Sequence, residues 1–152
     1  MDGGYEISVA ALADDIIGTP YIEGITISGG EPFLQDEGFA GLIEKVRQKR
    51  DVGVITYTGF TFEEVSQTKL AMSCDLIIDG EYIEELNDGL SLRGSSNQKV
   101  RLVTDRYKEE ARTLYGDVGR KAELRIEGDR ATLIGIPDKN SLKLFINRRV
   151  QE

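Results

Sequence analysis

Residues 26 to 34 read Thr-Ile-Ser-Gly-Gly-Glu-Pro-Phe-Leu, an apolar run that ends in two glycines and an acid. Neither Gly29 nor Gly30 has a Cβ to hold a ligand away, so a molecule bound there meets bare backbone. The adjacent Glu31 offers a carboxylate able to accept charge-assisted hydrogen bonds from an ammonium group. Backbone plus carboxylate suits an amino-acid-like ligand. The same residues also suit a plain turn closing a buried strand, with Pro32 opening the next helix, and on the motif alone that plainer reading outweighs the first.

Three further segments carry polar groups at comparable places. Thr58-Gly59 and Asp79-Gly80-Glu81 each follow a β-rich or apolar run, and the stretch from Asn87 to Gln98 is dense in Gly, Ser and Asn around Arg93. Thr58 reads equally as strand-end packing, and Asp79-Gly80 as a simple turn. The 87–98 stretch reads either as a solvated linker or as a loop whose Arg93, Ser95, Ser96, Asn97 and Gln98 supply donors to a carboxylate.

The elements needed to bring these segments together are legible in the pattern. Ser8 caps a predicted helix whose Val9, Leu12 and Ile16 share one face, ended by Gly18-Thr-Pro20. A strand over 24–28 follows, then a helix on which Phe39, Leu42, Ile43 and Val46 recur to about Lys49, with basic residues at the end where the helix dipole favours them. Residues 52–58 are β-rich, Thr61-Phe-Glu-Glu64 has the form of a capping box, and 76–78 make a third apolar strand. Short apolar strands separated by helices predict an α/β fold with a parallel sheet covered on both faces. Ligands gather at the carboxyl ends of such strands, and Gly29–Glu31, Thr58 and Asp79 all fall there.

Beyond residue 104 the pattern changes. Asp105 caps a helix to about Tyr115, and Ala122, Leu124 and Ile126 alternate with charged residues before Gly128-Asp129, which predicts a hairpin into 131–134. Leu142, Leu144, Phe145 and Ile146 suit helix or strand equally. The chain therefore divides into a core over 1–104 and a small α+β extension over 105–152 packed on it.

At 152 residues, 39% hydrophobic and 30% charged, the composition is that of an ordinary globular domain. Its net charge of −8 argues against a nucleic-acid partner, for which a basic face is expected. No apolar run is long enough to span a membrane and no signal-peptide pattern opens the chain, so a cytoplasmic location is expected. One cysteine, Cys74, cannot make an internal disulfide, and in Met72-Ser-Cys-Asp75 it reads as a small buried hydrophobe.

Taken in order, Ile25–Gln35 with its Ser-Gly-Gly-Glu-Pro, Tyr57-Thr-Gly-Phe-Thr61, Asp75-Leu-Ile-Ile-Asp-Gly80 and Arg93-Gly-Ser-Ser-Asn-Gln98 closely resemble radical S-adenosylmethionine (SAM) activating enzymes. The likeness runs over residues 3 to 103 and is greatest to the small activating proteins of anaerobic ribonucleotide reductase and of pyruvate formate-lyase. It implies a partial β/α barrel and a SAM pocket in which Gly29, Gly30 and Glu31, beside Ser28, hold the methionine amino group. Arg93, Ser95 and Asn97 would approach the methionine carboxylate or close the pocket, and Thr58 and Asp79 would be further contacts. It also implies oxidoreductase chemistry in which a reduced 4Fe-4S cluster cleaves SAM to a 5′-deoxyadenosyl radical, which then takes hydrogen from a glycine of a glycyl radical enzyme.

The family's pattern opens with three cysteines, spaced Cys-x3-Cys-x2-Cys, ahead of the segment matching Gly3–Ser8. This sequence holds one cysteine and no histidine, and a single thiol cannot hold such a cluster. The expected metal set is none, and the chain as given is expected to be truncated relative to the family and catalytically inactive. Either the chain starts after the cysteine loop or a natural product has lost it. A sheet missing its first strand would expose an edge able to pair with a second copy. The alternative is a non-catalytic module derived from the family, binding an adenosyl ligand or a protein partner.

Overall fold

A computed structural model describes residues 6–90, 92–114, 122–128 and 130–135. Helix α1 (Val9–Gly18) starts where Ser8 accepts a hydrogen bond from the Ala11 amide at 3.2 Å. Its end is held by Arg50, whose guanidinium donates to the carbonyls of Ile16, Ile17, Thr19 and Ile22. The Ile16 carbonyl also accepts from the Thr19 amide that caps the helix, and a cation suits the negative end of its dipole. Arg50 follows α2 (Asp36–Arg47), so one side chain ties the ends of both helices together.

Strands β1 (Gly24–Ile27), β2 (Gly53–Tyr57) and β3 (Leu76–Asp79) run parallel, Ile27 opposite Thr56 and Thr56 opposite Ile77. Between β1 and α2 the chain makes a 3-10 turn, Pro32–Gln35, with Pro32 at its start. Between β2 and β3 lie two short helices, α3 (Phe62–Val65) and α4 (Lys69–Ser73). The capping box at Thr61 and Glu64 forms as its residues require, the Glu64 carboxylate accepting from the Thr61 amide and hydroxyl at 2.7 Å.

Ile27, Val54 and Ile77 point from the three parallel strands into a core with Phe33, Ile43, Val65 and Leu70. Removing each such side chain from water contributes roughly 1.5–3 kcal/mol. A second cluster, Ala13, Leu42, Val46 and Val52, joins α1 to α2, and Phe39 touches both. Every residue of β3 is buried, as suits a strand inside a sheet.

The sheet departs from the all-parallel expectation at one point. A fourth strand, β4 (Lys99–Leu102), lies antiparallel to β3, with Lys99 opposite Asp79, giving the order β1-β2-β3-β4. The chain leaves β3 and re-enters β4 at the same end of the sheet, which makes the pair antiparallel, and Gln98 Nε2 donates to the Gly80 carbonyl at 2.8 Å across that junction. Beyond the core lie α5 (Lys108–Leu114) and the predicted hairpin, β5 (Ala122–Glu127) paired antiparallel with β6 (Arg130–Gly135). The apolar run 142–146 falls outside the described residues. Among the described residues no helix is long and apolar enough to cross a membrane.

Candidate functional site

The carboxyl ends of the three parallel strands meet around one cleft of about 360 Å³. Ser28, Gly29 and Gly30 form the wall after β1, and Tyr57, Thr58 and Gly59 that at the end of β2. Gly80, Tyr82, Gly94 and Gln98 make the far wall, from the exit of β3 and the loop that follows.

Gly29 and Gly30 have φ of +83° and +56°, the left-handed region that glycine enters without steric cost. A Cβ built on either would meet nothing within 4 Å, so the glycines are required by backbone conformation and not by a close neighbour. Among the described residues neither forms a hydrogen bond, which leaves a stretch of backbone N–H and C=O presented at the cleft.

Glu31 is anchored by its carboxylate. Its Oε1 accepts from the Thr58 hydroxyl at 2.8 Å and from the Phe33 amide at 3.1 Å, and its Oε2 accepts from the Gly59 amide at 2.9 Å. A carboxylate has about four lone-pair positions. Three are filled by protein donors, and the remaining acceptor capacity lies on Oε2, next to cleft-lining Gly59. Thr58 is buried, and its oxygen also accepts from the Phe60 amide at 3.1 Å, so donor and acceptor roles of this hydroxyl are both fixed.

The far wall is built by a network that the sequence does not announce. Gln98, 7% exposed, accepts from the Gly94 and Ser95 amides at 2.7 and 3.2 Å while donating to Gly80. Ser95 Oγ, fully buried, accepts from the Ile83 amide at 3.1 Å, and Asn97 Nδ2 donates to the Glu81 carbonyl at 2.8 Å. Tyr57 donates its hydroxyl to the Leu92 carbonyl at 2.7 Å, closing the loop against β2.

The structure thus brings Ser28, Gly29, Gly30 and Thr58 around one cleft, with the Glu31 carboxylate fixed at its edge. The side chains of Asp79, Arg93, Ser95 and Asn97 are engaged elsewhere. Asp79 accepts from the Phe62 amide at 3.0 Å and from Arg101 Nε at 3.1 Å, capping α3 and tying it to β4. Arg93 pairs with Asp88. Gln98, one of the donors read from the 87–98 loop, does line the cleft, and so do Tyr57, Gly59, Gly80, Tyr82 and Gly94, to which the motif reading assigns no ligand. A signal for Tyr57 and Gly59 existed, since they flank Thr58 at a strand end; none existed for Tyr82, which reaches the cleft through its loop.

The 4Fe-4S cluster implied by the resemblance does not fit the residues present. Cys74 is 1% exposed in the apolar core, with Sγ 3.1 Å from Thr56 Oγ1. Burial pushes its thiol up to about 11, away from the thiolate that binds iron, and the Thr56 hydrogen bond offsets only part of this. Among the described residues no three His, Cys, Asp or Glu side chains are grouped to hold a metal ion.

Comparison with known proteins bears on the same segment. A family model described as a 4Fe-4S single cluster domain matches residues 3–101. The chain is similar to the anaerobic ribonucleoside-triphosphate reductase-activating protein of Enterobacteria phage T4, at 33% identity over 88 residues, 56% of each chain. It therefore spans little more than half of that relative's length. No solved structure gives a significant match. The family match takes in the three parallel strands, all but the last residue of β4 and every residue lining the cleft, and this chain belongs to the 4Fe-4S single cluster domain family.

Proposed function

We propose that this chain is the SAM-binding part of an activating protein for a glycyl radical enzyme of the anaerobic ribonucleotide reductase kind. The observation that carries this reading is the cleft edge itself. Left-handed Gly29 and Gly30 present unpaired backbone, and the adjacent carboxylate is held by Thr58 and Gly59 with acceptor capacity remaining. An α-ammonium group there meets a charge that need not reorganise on binding. Backbone C=O and N–H of Gly29–Gly30 supply the remaining hydrogen bonds to the amino-acid end. The similarity to the T4 activating protein supports the partner class.

Bound SAM supplies a sulfonium centre whose C–S bond is open to reductive cleavage. This chain's own residues bind and orient it; they supply no electron. With a single buried thiol, the 152 residues on their own do not cleave SAM. Reconstitution with iron and sulfide under reductant should yield no 5′-deoxyadenosine, and stoichiometric product would overturn this. We read the sheet as an arc of a β/α barrel, with 1–104 as its core and 105–152 as an extension. Strand β1 lies at the sheet's edge and is where a second copy would pair, a point that a solution mass of one chain would refute.

The binding claim is tested by calorimetric titration of SAM into the wild-type chain and into Glu31→Gln. Saturable binding that weakens roughly ten- to hundredfold in the variant is expected, since a hydrogen bond to a charged group is worth about 1.5–3 kcal/mol. Equal affinity in both would remove Glu31 from the site.

A further inference from the structure

We infer that Tyr82 is a specificity-determining residue of the cleft, a fixed aromatic platform for the planar base of a nucleoside ligand. The inference rests on the reading that the cleft takes SAM, and it names what holds the end of the ligand remote from Glu31. Tyr82 lines the same cleft as Gly29 and Gly30, in the opposite wall. It is a large aromatic residue with 48% of its surface exposed, three residues beyond the last residue of a fully buried strand.

Its position is fixed at two points. On one side the ring lies directly against backbone, for a Cβ added to Gly94 would fall 2.7 Å from Tyr82 Cδ2 and 3.2 Å from Cε2. No side chain fits between them, so glycine at 94 is what lets the ring lie there. The Gly94 amide is itself held by buried Gln98. At its other end the phenol oxygen bonds to Glu84 and accepts from Asn87 Nδ2 at 3.3 Å. A ring braced in this way loses little freedom when a ligand covers it, and that is the condition under which stacking contributes most to binding. Any base offers a π-face to such a platform, so the platform selects for a planar heteroaromatic group. Glu31 and the glycines select for the amino-acid end, and the two walls of the cleft thus divide recognition of one ligand.

Calorimetry with SAM, adenosine and methionine as separate probes tests this on the wild-type chain, Tyr82→Phe and Tyr82→Ala. Adenosine and SAM should each bind Tyr82→Ala roughly ten- to hundredfold more weakly than wild type, as loss of a base–aromatic stack implies. Tyr82→Phe should stay within about threefold, because the ring remains. Methionine should bind all three chains alike. The melting temperature of Tyr82→Ala, measured in parallel, separates lost stacking from lost fold, and Tyr82→Leu, which restores apolar bulk without a ring, should not recover adenosine affinity. Adenosine affinity unchanged in Tyr82→Ala, or restored by Tyr82→Leu, overturns the platform while leaving SAM binding intact. Adenosine binding through Tyr82 without any SAM binding leaves the platform standing and defeats the SAM reading. Absence of binding by either at millimolar concentration overturns both.

Discussion

Thr58 donates its hydroxyl proton to Glu31 Oε1 at 2.8 Å across the boundary between the first two parallel strands. This contact joins a residue that reads as strand-end packing to one that reads as part of a turn. It turns two ambiguous positions into one oriented carboxylate.

Replacing Thr58 by Val keeps the shape of a buried side chain but removes the donor to Glu31 and the acceptor for the Phe60 amide. Stability should fall by about 1–3 kcal/mol, the cost of leaving a polar group unpaired. SAM affinity should fall with it, because the carboxylate keeps only the Phe33 and Gly59 amides. Denaturant unfolding and calorimetry on the same preparation read the two effects.

Gly30→Ala places a Cβ in open space yet in the left-handed region, so its effect is strain without collision. Destabilisation of about 1–2 kcal/mol is expected. Gly53→Ala is the contrasting case. Its Cβ would fall 1.9 Å from the Tyr107 hydroxyl, so Tyr107 must move, and a larger loss of melting temperature is expected than at Gly30.

Asp75, 4% exposed, accepts from Arg47 at 2.6 Å, the Val54 amide at 2.9 Å and the Thr104 hydroxyl at 2.7 Å. It joins the end of α2, the start of β2 and the exit of β4 at the edge of the sheet opposite the cleft. Asp75→Ala leaves the buried Val54 amide without its acceptor and takes one of three acceptors from Arg47, which keeps the Val52 and Ser73 carbonyls, and should destabilise the chain by about 1–3 kcal/mol. A midpoint of urea unfolding within experimental error of wild type would show that these bonds contribute nothing.

The Cys74 thiol is raised in the folded chain from an ordinary 9.0 to about 11 by burial. Below pH 9 both folded and unfolded chains keep the proton, and the stabilisation is complete. Between pH 9 and 11 the unfolded chain releases it while the folded chain does not, so stability falls across that window by on the order of 2–3 kcal/mol. Cys74→Ala should lack this part of the alkaline slope, which subtraction of the two unfolding curves reveals. Iodoacetamide at neutral pH should leave the native thiol unmodified and label it after denaturation.

Periodicity alone located α1, α2, the three parallel strands and the hairpin, because each carries a face of regular spacing or a cap that few other structures explain, such as Ser8 or Thr61 with Glu64. Strand β4 escaped it. Lys99–Leu102 is a short, partly exposed edge strand whose burial does not alternate, and its junction with β3 is fastened by the Gln98–Gly80 hydrogen bond, a contact between residues 18 apart. The site was legible in the same uneven way. Gly29 and Gly30 take their place through backbone conformation, which composition records, whereas the orientation of the Glu31 carboxylate depends on Thr58 and Gly59, 27 and 28 residues away. The partners of Ser95 and Asn97, both of which brace the loop, and the approach of Tyr82 to the cleft depend on how that loop folds back, which no local pattern encodes.

The most direct test of the central claim follows backbone amides by nuclear magnetic resonance as SAM is added. Saturable shifts should centre on Gly29, Gly30, Gly59 and the far wall at Gly80, Tyr82 and Gly94, and the amides around Cys74 should stay still. A spectrum unchanged at millimolar SAM, or shifts confined to residues away from the cleft, would contradict it.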